Sequence, residues 1–361
     1  MRLADYSLHV YRLPYERPVR WSDVVEEAAQ FLLLKLVSDT CHTGVAEIVI
    51  KPTWTGASLR SLAASIEDVF VPLLQKQRDL SDPAFVRCQL DGIPENHAAK
   101  ALIDNAVWDL NAARLGVSPG KMWGGSDAVP VSFTVTRQAP EKMAAEAVHT
   151  VERYGFRTLK IKGGQGIDAD VNVLHQLRSA LGHEIRLYVD ANGAYAPAVA
   201  LNYINAMADA GAEVVEDPCG LAPDAFFTRL QQSSTTAVLV DFYCWSPRDI
   251  QLFIAAGARA FSLKPGRLGL SDAHTMGKLA NAAGCQTVVG MFGESMLGTL
   301  TALQLSSILP SHSLPAETTW FLAMTEQITH ESLTIKDGAI QLPTVAGNAA
   351  LIDWEHLERL S

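Results

Sequence analysis

The second half of the chain places charged side chains at the ends of short apolar segments. Three are carboxylates, Asp190, Glu216 and Asp241, at intervals of 26 residues (190 to 216) and 25 residues (216 to 241). On adjacent strands they would converge, and two unit charges about 4 Å apart repel by roughly 4 kcal/mol at an effective dielectric constant of about 20. A divalent cation removes this repulsion, and an all-oxygen ligand set favours Mg²⁺, with Mn²⁺ as a substitute. The pattern predicts a metal site, the alternative being acids that each stabilise the first turn of a helix.

Lysines also lie at the ends of short apolar segments, as the three carboxylates do. Lys160 and Lys162 are two residues apart, so on a strand their side chains point to the same face. Lys264 comes 23 residues after the last of the three acids (241 to 264). A single lysine at a strand end is usually solvated, but a pair within an apolar segment is a candidate for proton transfer. A lysine becomes a competent general base when its surroundings lower its pKa from about 10.4 to about 7.5, which corresponds to roughly 4 kcal/mol.

These residues have to be positioned by repeated strand–helix units. The predicted strands are Val129–Val135, Thr158–Lys162, Arg186–Asp190, Glu213–Glu216, Ala237–Asp241, Ala260–Lys264 and Thr287–Gly290. The predicted helices between them are Pro140–Tyr154, Ala169–Leu181, Ala196–Ala210, Pro223–Gln232, Ser246–Ala256 and Ser271–Ala283. Such alternation is typical of a parallel sheet, and this many repeats favour a (β/α) barrel, whose active site lies at the carboxyl ends of the strands.

The amino-terminal part has a different pattern, with strands first and helices afterwards. Its predicted elements are the strands Ser7–Leu13, Phe31–Ser38 and Val45–Ile50 and the helices Arg60–Gln77 and Glu95–Leu115. This order is typical of an α+β unit. We predict an α/β fold with an α+β capping domain over residues 1–125, a barrel over residues 126–320 and a C-terminal segment, residues 321–361, that packs back on the cap.

Composition excludes several classes of protein. The chain has 361 residues, with 29 Lys+Arg against 39 Asp+Glu, a net charge of −10 and 48% hydrophobic residues. The acidic balance argues against nucleic acid or an anionic membrane as a partner, and no apolar stretch is long enough to span a bilayer. Five scattered cysteines without CxxC spacing are typical of reduced thiols, and the start lacks a signal-peptide core. We expect a cytoplasmic globular protein.

The order Lys-x-Lys, Asp, Glu, Asp, Lys on successive strands resembles the enolase superfamily, specifically its muconate-lactonizing (muconate cycloisomerase) subgroup. Residues 263–269 are similar to a segment of succinylbenzoate synthases and N-acylamino acid racemases, and residues 289–297 resemble the strand and loop that follow. The chain as a whole is also similar to dipeptide epimerases. In the cap, Trp54-Thr55-Gly56 and Trp123-Gly124-Gly125 look like the family's pattern. The resemblance covers nearly the whole chain.

The resemblance implies a modified TIM barrel of the (β/α)7β type with an α+β capping domain. It also implies Mg²⁺-dependent removal of the α-proton of a small carboxylate, by a racemase or epimerase, a cycloisomerase or a syn-eliminating lyase. The three carboxylates named above would bind the metal. Lys162 and Lys264 would flank the α-carbon as base and acid, and Lys160 would help to stabilise the enolate. We also expect a homo-oligomer.

Specificity would come from residues around the barrel mouth. The candidate substrate-binding residues are Arg17, Arg20, Trp54, Asn192 and Glu294. The first two lie in a segment whose cations and aromatic rings suit an acidic or apolar substrate group, although a solvated loop would have the same composition. The last of them could close the pocket floor or simply cap a helix.

One departure from the family pattern bears on function. Relatives commonly have Asp-Glu-Ser where this chain reads Asp241-Phe242-Tyr243. Because that Glu is a usual partner of the strand-six lysine, we expect Lys264 to lack it and the substrate to be divergent.

Two other functions stay open. A Schiff-base aldolase acting through Lys264 would leave the three carboxylates unexplained, and a metal-binding pseudoenzyme is compatible with Phe242.

Overall fold

A computed structural model of the chain describes residues 1–21, 24–310 and 313–360; at positions 20, 21 and 24 it describes the backbone alone. The strands are β1 (Leu3–Trp21), β2 (Val24–Ser38), β3 (Thr43–Val49), β4 (Ala128–Pro130), β5 (Phe133–Val135), β6 (Thr158–Lys162), β7 (Arg186–Asp190), β8 (Val214–Glu216), β9 (Ala237–Val240), β10 (Ala260–Leu263), β11 (Gln286–Val289), β12 (Ile335–Lys336) and β13 (Ala339–Gln341).

The α-helices are α1 (Pro52–Thr55), α2 (Leu59–Ala64), α3 (Val71–Lys76), α4 (Pro83–Asp91), α5 (His97–Leu115), α6 (Pro119–Met122), α7 (Pro140–Tyr154), α8 (Ile167–Leu181), α9 (Pro197–Asp209), α10 (Ala225–Ser233), α11 (Pro247–Ala255), α12 (Pro265–Leu268), α13 (Leu270–Ala282), α14 (Met296–Ser306) and α15 (Trp354–Leu360). None of the helices in the described part of the chain combines the length and the apolar character needed to cross a bilayer.

The amino-terminal strands form an antiparallel sheet in the order β1-β2-β3. One face of this sheet packs on α5, which is almost completely buried. The approach is close at Gly44 of β3, where a Cβ atom would lie 2.4 Å from the carbonyl oxygen of Ala106. Gly116 ends α5 with a φ of 71°, a left-handed conformation that glycine adopts readily.

The predicted helix Arg60–Gln77 is broken into three parts. Between α2 and α3 the backbone forms a π-helical turn, Ser65–Phe70. Pro72, at the second position of α3, has no N–H to donate to the preceding turn and its ring crowds the carbonyl there. The chain therefore widens locally instead of continuing as a regular α-helix.

Seven parallel strands, β5 to β11, form one sheet in chain order, each separated from the next by at least one helix. A short segment, residues 314–317, closes it into a barrel. On one side the amides of Leu314 and Glu317 donate to Thr287 and Val289 of β11. On the other side Ala316 pairs in parallel with Val131, just before β5. We call residues 314–317 the closing segment. The predicted (β/α)7β barrel with a capping domain is confirmed.

The predicted strand Val129–Val135 is divided between two sheets. β5 belongs to the barrel, whereas β4 pairs with β13 in a small sheet of the order β12-β13-β4. Elsewhere the C-terminal segment reaches the cap: Met324 pairs with Tyr15 of β1, and Leu357 of α15 is buried against β1. The segment therefore contacts both units, and the division at residues 125 and 320 stays a prediction.

Candidate active site

The three predicted metal ligands lie side by side at the carboxyl ends of adjacent strands. Asp190 is the last residue of β7, Glu216 is the last of β8, and Asp241 directly follows β9. Asp190 pairs with Glu216 in the strand register, and all three side chains are buried. None of them caps a helix: α9 and α11 begin after Ala196 and Ser246, and α10 begins after Asp224. The helix-capping alternative is therefore wrong for these acids.

The sequence pattern suggests that these carboxylates converge and repel one another. In the structure, each of them has a lysine partner. Lys160 on β6 is fully buried, and its Nζ lies 2.9 Å from Oε1 of Glu216, 3.0 Å from Oδ2 of Asp190 and 2.9 Å from Oε2 of Glu317. Burial lowers the pKa of Lys160, but the surrounding carboxylates outweigh burial and raise its pKa well above the ordinary value. The charged form of Lys160 is therefore favoured in this cluster.

The second lysine of β6 has a different environment. Lys162 donates to Oδ2 of Asp190 at 2.6 Å, and its Nζ lies 3.4 Å from Oδ1 of Asn192. Burial opposes ionisation of Asp190, but the ammonium groups of Lys160 and Lys162 hold the pKa of this carboxyl well below its usual range. Glu216 is the opposite case, because burial and the neighbouring charge of Asp190 raise its pKa well above the ordinary value. The carboxyl groups of Asp190 and Glu216, on neighbouring strands, therefore have pKa values shifted in opposite directions.

Lys264 lacks the usual Glu, but it has another carboxylate partner. Its Nζ donates to Oδ2 of Asp241 at 2.5 Å. Arg267, which follows in α12, donates to the backbone oxygen of Asp241 at 2.8 Å. The ring of Phe242, 37% exposed, lies edge-on to the rings of Tyr243 and Trp245. Asp241 therefore replaces the Glu that the sequence lacks as the partner of Lys264.

Asp217 is a site residue that sequence reasoning missed. Its backbone has a φ of 39°, and its carboxylate accepts hydrogen bonds from the amides of Asp241 and Phe242 at 3.1 and 2.8 Å. Burial and the charge of Asp241 raise its pKa to about 7. A signal was available, since Asp217 follows Glu216 directly. Its role is to hold the end of β9 in place.

Lys162 and Lys264 line the same cavity of about 430 Å³. Its walls come from the barrel, the cap and the loop after β11, and include Lys51, Trp54, Thr136, Met291, Phe292, Gly293, Glu317 and Trp320. Sequence reasoning missed Lys51 and Glu317. Glu317 could have been predicted from the sequence by identifying the segment that supplies the eighth strand, because the other site residues lie at strand ends.

The predicted substrate-binding residues lie in different places. Trp54 lines the cavity, and Asn192, with a φ of 50°, lies beside Lys162. Arg17 forms an ion pair with Glu146 and lines a neighbouring cavity of about 840 Å³, which shares Thr136, Met291 and Trp320 with the first. Buried Glu294 accepts a hydrogen bond from the amide of Phe292 at 2.5 Å, while Ser295 caps α14. The side chain of Arg20 lies outside the described residues.

The donor chemistry suits a hard cation. Among the described residues, no three His, Cys, Asp or Glu side chains are close enough to form a metal site as they stand, because lysine ammonium groups lie between the carboxylates. Oε2 of Glu216 lies 2.8 Å from Lys160 without hydrogen-bond geometry, and Oδ1 of Asp241 lies 3.4 Å from Arg267. Within the described part of the chain, neither of these buried oxygens accepts a hydrogen bond. Both remain available as ligands, so the residues fit a divalent cation.

Comparison with known proteins agrees with this arrangement. A family model described as "Enolase C-terminal domain-like" matches residues 142–356, more than half of the chain. The chain belongs to this family. Members of the enolase superfamily generally use a divalent metal, which is consistent with the acidic cluster at the barrel mouth.

Relatives of this enolase-superfamily member are isomerases. The chain is 26% identical over 366 residues to a chloromuconate cycloisomerase of Cupriavidus pinatubonensis, with 99% of each chain covered. It is 28% identical over 315 residues to the L-Ala-D/L-Glu epimerase of Bacillus subtilis, covering 85% of each. A muconate lactonizing enzyme from Pseudomonas fluorescens, solved with muconolactone, matches with a TM-score of 0.93 and 25% identity over 99% of each chain. The protein is therefore an enzyme of the isomerase type.

Proposed function

We propose that the protein removes the α-proton of a small carboxylate substrate with the help of Mg²⁺, Mn²⁺ being able to replace it. One observation carries this proposal: Lys162 at the end of β6 and Lys264 after β10 line the same cavity. β6 and β10 are four strands apart in the barrel sheet, so the two amines reach the cavity from different sides. A substrate held between them would present one face of its α-carbon to each lysine.

The cation would be held by Asp190, Glu216 and Asp241, and when bound it supplies positive charge for the carboxylate of the substrate. The remaining chemistry belongs to side chains of this chain. Lys160, fully buried and paired with several carboxylates, keeps its proton and adds a fixed positive charge beneath the cavity. Such preorganised charge stabilises the negative charge that develops when the proton leaves.

Proton transfer would use the other two lysines. One of them, as the neutral amine, takes the proton from the α-carbon, and the electron pair of the broken C–H bond stays on the substrate. The second, as the ammonium, gives a proton to the opposite face in a racemase or epimerase. In a cycloisomerase or a syn-eliminating lyase, one lysine carries the proton and the other contributes charge. A lysine that acts as the base has to be a neutral amine. The contact of Lys162 with Asp190, or of Lys264 with Asp241, therefore has to loosen in the loaded enzyme.

The relatives support this reaction class, because a cycloisomerase and an epimerase both appear among them. A Schiff-base aldolase is a weaker candidate, since Lys264 is held by an ion pair with Asp241 and the three carboxylates would have no role. Borohydride treatment with a carbonyl substrate would trap a Schiff base on Lys264 and distinguish this alternative. A metal-binding pseudoenzyme would trap nothing and exchange nothing.

The decisive experiment is a deuterium-exchange screen. The protein, with Mg²⁺ in D₂O, is incubated with a library of small α-substituted carboxylates, and NMR detects deuterium at the α-carbon. We expect exchange into at least one compound class, and its loss in the double variant Lys162→Met/Lys264→Met. Lys142→Met, on the exposed surface of α7, is the matched control and should exchange normally. Exchange that persists in the double variant would contradict the assignment of the bases.

A further inference from the structure

Lys264 belongs to a short segment whose orientation depends on its neighbours. It directly precedes α12, and its backbone oxygen accepts hydrogen bonds from the amides of Arg267 and Leu268, each at 2.9 Å. The helix α12 has only four residues. A single helical turn is not stable by itself, so the elements that pack on it decide where it lies. Because Lys264 is bonded into this turn, the same elements orient the backbone of the lysine.

Asn105 of α5, a helix of the cap, bonds to both ends of this turn. Its Nδ2 donates to the backbone oxygen of Pro265 at 2.9 Å, and its Oδ1 accepts from the amide of Leu270 at 2.8 Å. Pro265 is the first residue of α12, and Leu270 is the first residue of α13. The side chain of Asn105 is only 3% exposed, so these bonds are shielded from water. One buried amide group therefore fixes α12 relative to the cap.

A second cap residue, Arg87 of α4, holds the far end of the turn. Its Nη1 donates to the backbone oxygen of Leu268 at 2.6 Å, and its Nη2 forms an ion pair with Asp272 of α13. The backbone approaches closely at Gly269, where φ is 80° and a Cβ atom would lie 2.7 Å from Nη1 of Arg87. Side chains from two cap helices thus hold the backbone that follows Lys264.

The segment after Lys162 is held by the barrel. Lys162 is the last residue of β6, and the strand register pairs it with Asp190 of β7. In the turn that follows, the carboxylate of Asp170 accepts from the amides of Gly164 and Gln165 at 2.6 and 3.2 Å. Asp170 belongs to α8, which begins directly after this turn. The two lysines that line the cavity are therefore positioned by different parts of the molecule.

We propose that Asn105 is a positioning residue for Lys264, so that proton transfer at the Lys264 face of the substrate depends on the cap. Transfer at the Lys162 face depends instead on Asp170 of the barrel. The inference rests on the proposed function, which makes these two lysines the bases. A misplacement of about 1 Å can slow a reaction about 10²-fold, because the amine has to lie within hydrogen-bond reach of the α-proton. Loss of the contacts of Asn105 should therefore affect one face of the α-carbon more than the other.

The test measures α-deuterium exchange into each enantiomer of an accepted substrate by NMR, with Mg²⁺ present. The enantiomer whose exchange is lost in Lys264→Ala defines the Lys264 face. Asn105→Leu keeps the branched shape of the side chain but removes both hydrogen bonds. It should slow exchange by about tenfold or more at the Lys264 face and by less than about threefold at the other. Asp170→Asn should show the reverse. Asn202→Leu, exposed on α9, is the matched control and should leave both rates unchanged.

A second measurement needs no substrate. Acetylation of lysine amines by sulfo-NHS-acetate, read by mass spectrometry on the Mg²⁺-loaded protein, reports how firmly each amine is held. Asn105→Leu should raise the acetylation rate of Lys264 severalfold and leave that of Lys162 unchanged. If this variant does not fold, Arg87→Gln, which removes the bond to Leu268, should give the same selective effects on acetylation and on exchange.

The two measurements separate the positioning role from the proposed function. Equal slowing of exchange at both faces would show that Asn105 only stabilises the fold, and it would overturn the inference. An acetylation rate of Lys264 that does not change would overturn it too. A selective rise at Lys264, in a protein that exchanges no α-proton of any compound, would support the positioning role and contradict the proposed function.

Discussion

Nζ of Lys160 lies 2.9 Å from Oε2 of Glu317, and this contact joins the second barrel strand to the segment that closes the barrel. Glu317 is also held by Thr134 of β5, whose hydroxyl donates to its Oε1 at 3.0 Å. The same buried charge pair thus links the candidate site to the closure of the barrel.

Lys160→Met should destabilise the metal-free protein strongly. It removes the ammonium that neutralises several buried carboxylates, and breaking a buried pair from one side costs about 3–5 kcal/mol. Urea unfolding measures the loss. Lys142→Met, at an exposed position, should stay within about 0.5 kcal/mol of the wild type. Excess Mg²⁺ should restore part of the loss, because a cation can take over the neutralisation. A variant as stable as the wild type without metal would contradict the buried cluster.

Asp190→Asn, Glu216→Gln and Asp241→Asn should each remove most divalent-metal binding while the barrel stays folded. Each change deletes one negative charge from an all-oxygen ligand set, which hard cations require. Calorimetric titration with Mg²⁺ measures the affinity, and circular dichroism checks the fold. Asp168→Asn, exposed on α8, serves as the control. Unchanged affinity in any of the three variants would remove that residue from the site.

Lys162 and Lys264 should act on different faces of the substrate. Lys264→Ala should still exchange α-deuterium into one enantiomer and lose exchange into the other, and Lys162→Ala should show the reverse preference. The reason is geometric, since a base must lie within hydrogen-bond reach of the proton that it removes. NMR on both enantiomers of an accepted substrate makes the comparison. Equal loss of both exchanges in both variants would refute the two-face assignment.

The stability of the protein should depend on pH through Asp109 of α5. Burial raises its pKa to about 7 although the amides of Val45 and Asn348 donate to it at 2.8 Å. Between the unfolded pKa, about 3.8, and about 7, the folded state keeps a proton that the unfolded state releases. Its contribution to stability is therefore complete below pH 4 and is lost as the pH rises through 7, by roughly 4 kcal/mol.

Asp109→Asn should remove this dependence, because an amide does not titrate. Urea unfolding at pH 4.5 and at pH 7.5 should show the variant gaining stability relative to the wild type at the higher pH. Asp168→Asn should follow the wild type at both. Parallel pH dependence of the wild type and Asp109→Asn would show that Asp109 does not carry the effect.

The sequence alone determined the barrel and the central part of its site. The Lys160–Lys162 pair, Asp190 and Glu216 follow one another at intervals of a whole strand–helix unit. In a parallel barrel, such units place successive strand ends at one rim, so spacing along the chain becomes proximity in space. The same reasoning places Asp241 and Lys264 just after β9 and β10.

Only the tertiary structure decided which charges pair and what completes the cavity. Glu317 is 157 residues from Lys160 and lies in a closing segment too short to show a strand period. Lys51 reaches the cavity because the cap packs over the barrel mouth, and Asp241 becomes the partner of Lys264 because the two carboxyl ends are adjacent. Periodicity reports which face a residue occupies within its own element. Periodicity does not predict the contacts that form when distant segments close a barrel or cover it, because such contacts depend on how whole elements pack.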